Sequence, residues 1–182
     1  LDSAYASEDY KSIESISAVG ALNISNVLSV YAGGFAGVIK NYQARHQAET
    51  PDVAQIDDIT IVANEFKVEN VTRAIVGGLV GEASASAFNN VKVGVVQVGA
   101  IKVSASVFAY VGGLIGVLSD ANSSDVYLKN ANAFGLSLDV SAVDFLKGGL
   151  IGRLLGTSDN VILGDCKNAS GETNQIGNKL VD

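Results

Sequence analysis

Few residues in this chain could carry catalytic chemistry. His46 is the one histidine and Cys166 the one cysteine among 182 residues. A zinc protease needs His-Glu-x-x-His, so that two imidazoles and a general base converge, and a lone histidine cannot provide it. A serine hydrolase needs a histidine base and a Gly-x-Ser-x-Gly elbow, which is also missing. His46 sits in a polar stretch and reads as a solvated loop residue. Cys166 lies between Asp165 and Lys167, which could tune a thiol, but without a nearby base it reads as incidental. Asp139, Asp144, Lys147 and Arg153 are the residues that could line a polysaccharide-cleaving face. They do not recur as a cluster and no aromatic row accompanies them, so they read as surface charges.

A recurring polar pattern is more informative. Asp58, Asn90, Asp125 and Asn160 each stand directly before an apolar run, which opens at Ile59, Val91, Val126 and Val161 with spacings of 32, 35 and 35. Asx side chains bond nearby backbone amides and favour turns, so these four form an expected turn ladder. Calcium is the alternative, because hard cations want carboxylate and carbonyl oxygens. Only every second member is charged and no calcium-loop motif is present, so no cofactor is expected. Asn23, Asn70, Asn122 and Asn168 each begin an Asn-x-Ser/Thr sequon, which fits a glycosylated exterior in a eukaryotic protein and an Asn-rich turn in a bacterial one.

The elements that carry these residues follow from a repeat. Gly33-Gly34-Phe35-Ala36-Gly37 returns as Gly77-Gly78-Leu79-Val80-Gly81, then as Gly112-Gly113-Leu114-Ile115-Gly116 and as Gly148-Gly149-Leu150-Ile151-Gly152. The first glycines are 44, 35 and 36 residues apart. The long interval contains a polar insert, 42–52, with the only proline. Val91 to Val95 and Ile101 to Ala105 alternate and are rich in β-branched residues, which indicates strands. Helical spacing is confined to Ala4 to Ile16, a candidate cap. The expected fold is all-β: a right-handed parallel β-solenoid of about five coils with a repeat of about 35 residues, although two coils of about 17 residues fit almost as well. Residues 1–17 are expected as an N-terminal cap or linker, 18–170 as the repeats and 171–182 as a C-terminal tail or continuation. Propeller blades usually need 40 residues or more, so that architecture fits less well.

Stacked copies place equivalent residues about 4.8 Å apart. Glycine at Gly34, Gly78, Gly113 and Gly149 would then suit a corner with positive φ or close backbone approach, with the following apolar pair pointing inward. The Gly-Leu-hydrophobic-Gly cores at Gly78 to Gly81, Gly113 to Gly116 and Gly149 to Gly152 resemble the GLUG motif of large bacterial surface proteins and adhesins. The copy at Gly34 to Gly37 departs from it, having Phe35 and Ala36. The resemblance implies a β-solenoid-like stalk or display module with no catalytic residue attached.

Composition excludes other classes. Hydrophobic residues make up 48% and charged ones 17%, which argues against disorder. A net charge of −7 without clustered Lys or Arg argues against nucleic acid. A single cysteine excludes a disulfide scaffold, and no apolar run of about 18 residues could span a membrane. A chain that starts at Leu1 and lacks methionine is expected to be processed or a fragment. The expected role is non-enzymatic: a structural repeat of an extracellular surface or filament protein, associating with itself or with neighbouring repeats. The other reading is an adhesin-type module that binds glycan or protein through loop 42–52.

Overall fold

The computed structural model describes residues 13–14, 17–39, 56–57, 59–84, 91–119, 126–129, 137–155, 161–164, 175–176 and 179–180. The described elements are all strands. They run β1 (Ile13–Glu14), β2 (Ser17–Ser25), β3 (Ser29–Gly33), β4 (Ala36–Ile39), β5 (Ile56–Asp57), β6 (Ile59–Gly77), β7 (Val80–Ser84) and β8 (Val91–Gly112). They continue as β9 (Ile115–Ser119), β10 (Val126–Lys129), β11 (Ser137–Ser141), β12 (Asp144–Gly148), β13 (Ile151–Leu154), β14 (Val161–Gly164), β15 (Gln175–Ile176) and β16 (Lys179–Leu180). The expected helix at Ala4 to Ile16 is corrected at its end, where Ile13 and Glu14 pair as a strand with Ile56 and Asp57. The rest of that segment lies outside the described residues.

Pairing is parallel everywhere except between β15 and β16. One sheet has the order β14-β10-β8-β6-β2, with β3 also on β6 and with β11 and β12 on β8. A second has the order β16-β15-β13-β9-β7-β4. Parallel strands joined through long connections are buried on both faces only when other layers cover them. Here each long apolar strand is covered by the strand that follows its own glycine motif.

The repeat period is the pairing register. Ile61 lies opposite Val96, Ala63 opposite Val98 and Val68 opposite Val103, each 35 residues on. Two inward columns result: Leu22, Phe66, Ile101 and Leu138, and beside it Ile24, Val68, Val103 and Val140. Their middle members are buried, and their end members only partly so. Burying each of the middle side chains contributes about 1.5–3 kcal/mol.

The strand openings are less regular than their sequence spacing suggests. Val126 does oppose Val161, but Ile59 opposes Val93 and Val91 opposes Leu128. A two-residue slip keeps every side chain on its own face, because the strand period is two. The register recovers between Ile59 and Thr60, whose partners Val93 and Val95 leave Gly94 as the extra residue of a bulge. A corner also recurs in the first half of the sheet. Asn26 (φ 60°) and Asn70 (φ 52°) are the non-glycine residues with positive φ among those described, and Asn26 donates its backbone N–H to the carbonyl of Glu69. Asparagine tolerates this left-handed conformation better than most residues.

Candidate functional site

The glycine motifs form one continuous ladder. Gly33 lies opposite Gly77, Gly77 opposite Gly112, and Gly112 opposite Gly148. Three positions on, Ala36, Val80, Ile115 and Ile151 lie level across β4, β7, β9 and β13. Backbone hydrogen bonds run through the corner between these levels. The amides of Phe35 and Ala36 donate to the Leu79 carbonyl, those of Leu79 and Val80 to Leu114, and those of Leu114 and Ile115 to Leu150. Leu79, Leu114 and Leu150 are fully enclosed.

Close approach, not positive φ, is what requires glycine here. Among the described glycines only Gly20 has positive φ, so the positive-φ half of the expectation for Gly34, Gly78, Gly113 and Gly149 is corrected. A Cβ at Gly34 would meet the Gly78 carbonyl oxygen at 2.7 Å, and one at Gly78 would meet the Gly113 carbonyl oxygen at 2.1 Å. The closing glycine of each motif is equally confined. A Cβ at Gly81 would meet the Ala32 amide nitrogen at 2.7 Å, at Gly116 the Val76 nitrogen at 2.8 Å, and at Gly152 the Val111 nitrogen at 2.7 Å. Gly37, at the start of this stripe, faces the Tyr31 carbonyl oxygen at 2.5 Å. The strand after each corner therefore lies with its glycine pressed against the backbone of the strand before the corner.

On the other side of these strands lies a mixed aromatic and charged cluster. Tyr31, Ile75, Tyr110 and Leu146 occupy one column, each two residues before a Gly-Gly pair. Tyr110 is 8% exposed and stacks on Phe108 with ring centroids 4.8 Å apart. The Arg153 guanidinium sits 4.6 Å above the Tyr110 ring, and the Tyr110 hydroxyl donates to Asp144 at 3.1 Å. Burial first, and then the hydrogen bond to Asp144, raise the Tyr110 pKa, while Arg153 opposes the shift. A guanidinium over an aromatic face contributes about 0.5–2 kcal/mol. Asp144 and Arg153 thus both meet the Tyr110 side chain, one at its hydroxyl and one at its ring face.

Charges on the outer face of the long sheet are arranged the same way. Lys67 and Lys102 are level neighbours, an unfavourable pair by itself. Glu69 pairs with Lys67 at 2.9 Å and Glu65 pairs with Lys102 at 2.5 Å, while Asp139 lies level with Lys102 on the far side. The hydrogen bond that Lys102 donates to Glu65 is the main cause of the raised Lys102 pKa.

These contacts account for the acidic and basic residues that sequence placed near the fourth motif. Asp144 and Arg153 meet at Tyr110, Asp139 lies beside Lys102, and Lys147 donates to the Leu138 carbonyl at 3.4 Å. Among the described residues no three His, Cys, Asp or Glu side chains gather as a metal site requires. Asn23 is exposed on β2 and Asn70 is exposed at its left-handed corner. Asp58, Asn90, Asp125, Asn160, Asn122, Asn168, His46, Cys166 and loop 42–52 lie outside the described residues. The Tyr110 cluster was not foreseen, although its signal is present: all four residues two places before Gly-Gly are large and apolar.

No family model, no curated protein and no solved structure matches the chain.

Proposed function

We propose that the chain is a non-enzymatic structural repeat of the GLUG type, a parallel β-solenoid of about five coils that serves as a stiff stalk or fibre segment of an extracellular surface protein. The observation that carries this reading is the glycine ladder Gly33, Gly77, Gly112 and Gly148, in which the spacing of a repeat in sequence is the register of parallel pairing in space. A structure that adds one rung per repeat supplies length and stiffness, which are the properties of a spacer.

Electron microscopy of the native source material, with intact mass on the same sample, tests it. Rods or fibres with an axial repeat near ~4.8 Å per rung are expected. Compact particles with no elongated parent would overturn the reading and turn attention to ligand binding by loop 42–52.

A further inference from the structure

The two ends of the strand stack differ in chemistry and in outline. From Ser17 to Ile39, the stretch that supplies edge strands β2, β3 and β4, there is no Asp, Glu, Lys, Arg, His or Pro, in a chain of which 17% is charged. Among the described residues no strand pairs with the outer side of these three. Val30, Ala32 and Ile39 are enclosed, but the inward residues Ala18, Leu22, Ile24 and Ala36 are only partly buried, and Val19 is 79% exposed. An edge strand is ordinarily guarded by charge or proline, because its free amides and carbonyls template further pairing. This edge has neither guard.

The opposite end is guarded and uneven. β11, β12 and β13 carry Asp139, Asp144, Lys147 and Arg153. Lys129 and Ile151 are 22 residues apart, whereas their partners Gly164 and Ile176 are 12 apart. The last repeat is therefore ten residues shorter between equivalent points. It nevertheless fills the place next to β13 with β15, and β16 then turns antiparallel. The flush β2-β3-β4 edge of another molecule cannot seat on this end, because its β4 would need the place that β15 holds.

We infer that the uncharged β2-β3-β4 edge is an interface for the same edge of a second copy, the two stacks meeting end to end about a two-fold axis with β2 of each antiparallel to β3 of the other. This rests on the stacked-repeat reading above and names its partner. A self-complementary contact suffers no like-charge repulsion when the patch carries no charge, and a two-fold pairing needs only one kind of end. It joins the two sheets into one and covers the half-exposed columns that begin at Leu22 and Ile24.

Sedimentation of the 182-residue chain tests it. The 18.7 kDa chain is expected to sediment at twice its mass. Val19→Lys with Asn23→Lys places two charges on the edge at exposed positions and is expected to halve that mass, with the β-sheet circular dichroism kept and the melting temperature no longer dependent on concentration. A wild-type monomer, or a double variant that remains dimeric, would overturn the proposal. Orientation is read from Ser25→Cys, which lies midway along residues 17–33 where a two-fold axis brings a residue onto itself. With Cys166→Ser in the background, Ser25→Cys alone is expected to form a disulfide dimer. A cross-link formed only when Ser25→Cys is mixed with Ser141→Cys would mean head-to-tail stacking and would also overturn it. A rod-shaped monomer would sink this interface and leave the stalk reading standing, whereas a compact dimer would do the reverse.

Discussion

Alanine at Gly112 is the most searching test of the glycine ladder. The new Cβ would lie 1.9 Å from the Ile115 carbonyl oxygen and 2.7 Å from the Gly152 amide nitrogen. Both neighbours are backbone, so no side chain can rotate away. A relaxed carbon-to-oxygen contact is about 3.3 Å, which requires a shift of about 1.4 Å, and that is close to a third of the ~4.8 Å between rungs. The corner cannot open by that amount and keep the bonds that Leu114 and Ile115 donate to the Leu150 carbonyl at 2.9 and 3.0 Å. The same corner also presents the Leu114 carbonyl to the amides of Leu79 and Val80, each at 2.9 Å. Two to four bonds at about 0.5–1.5 kcal/mol each, with about 1–3 kcal/mol of overpacking, give roughly 2–9 kcal/mol. Such a loss is a large share of the roughly 5–15 kcal/mol available to a domain. Urea titration followed by circular dichroism would measure it, with the midpoint read at constant slope. Gly20→Ala is the control: nothing lies within 4 Å of its added Cβ, and only its φ of 155° opposes the change. If Gly112→Ala were no worse than Gly20→Ala, close approach would not be the reason for glycine.

Three further outcomes are expected. Leu114→Ala empties a fully enclosed site in the middle of the ladder and should lower stability by about 2–5 kcal/mol in the same urea assay; a loss under about 1 kcal/mol would mean the corner collapses onto the space. Tyr110 should ionise above the ordinary tyrosine range in a spectrophotometric titration. Its raised pKa favours the neutral phenol in the fold, so the stability it contributes is present below the ordinary tyrosine range and is lost as pH rises through the folded value. Tyr110→Phe should remove both the late titration and that extra alkaline sensitivity, and a late phase that survives would assign it elsewhere. Lys102→Met should alter melting only slightly and in a salt-dependent way, because its ion pair with Glu65 is exposed; a large, salt-independent loss would show that the Lys67 and Lys102 column has a packing role.

What the sequence determined by itself was periodic. Four Gly-Gly motifs at intervals of 44, 35 and 36 set the level at which Gly33, Gly77, Gly112 and Gly148 lie opposite one another, because identical corners can stack only in register. Alternation of β-branched residues identified the strands around Ile101, and the apolar pair inside each motif marked Leu79, Leu114 and Leu150 as core. Tertiary structure decided what spacing cannot express. Sequence offered two reasons for glycine, and only the distance from Gly78 to the Gly113 carbonyl chose between them. The change from Ile59 opposite Val93 to Thr60 opposite Val95 takes one extra residue, Gly94, and a single bulged residue leaves no mark in the spacing of the repeats. The meeting of Tyr110, Asp144 and Arg153 was hidden for the same physical reason. They belong to different repeats and to strands on both sides of a corner, so they become neighbours only once the chain has folded back and added the next rung.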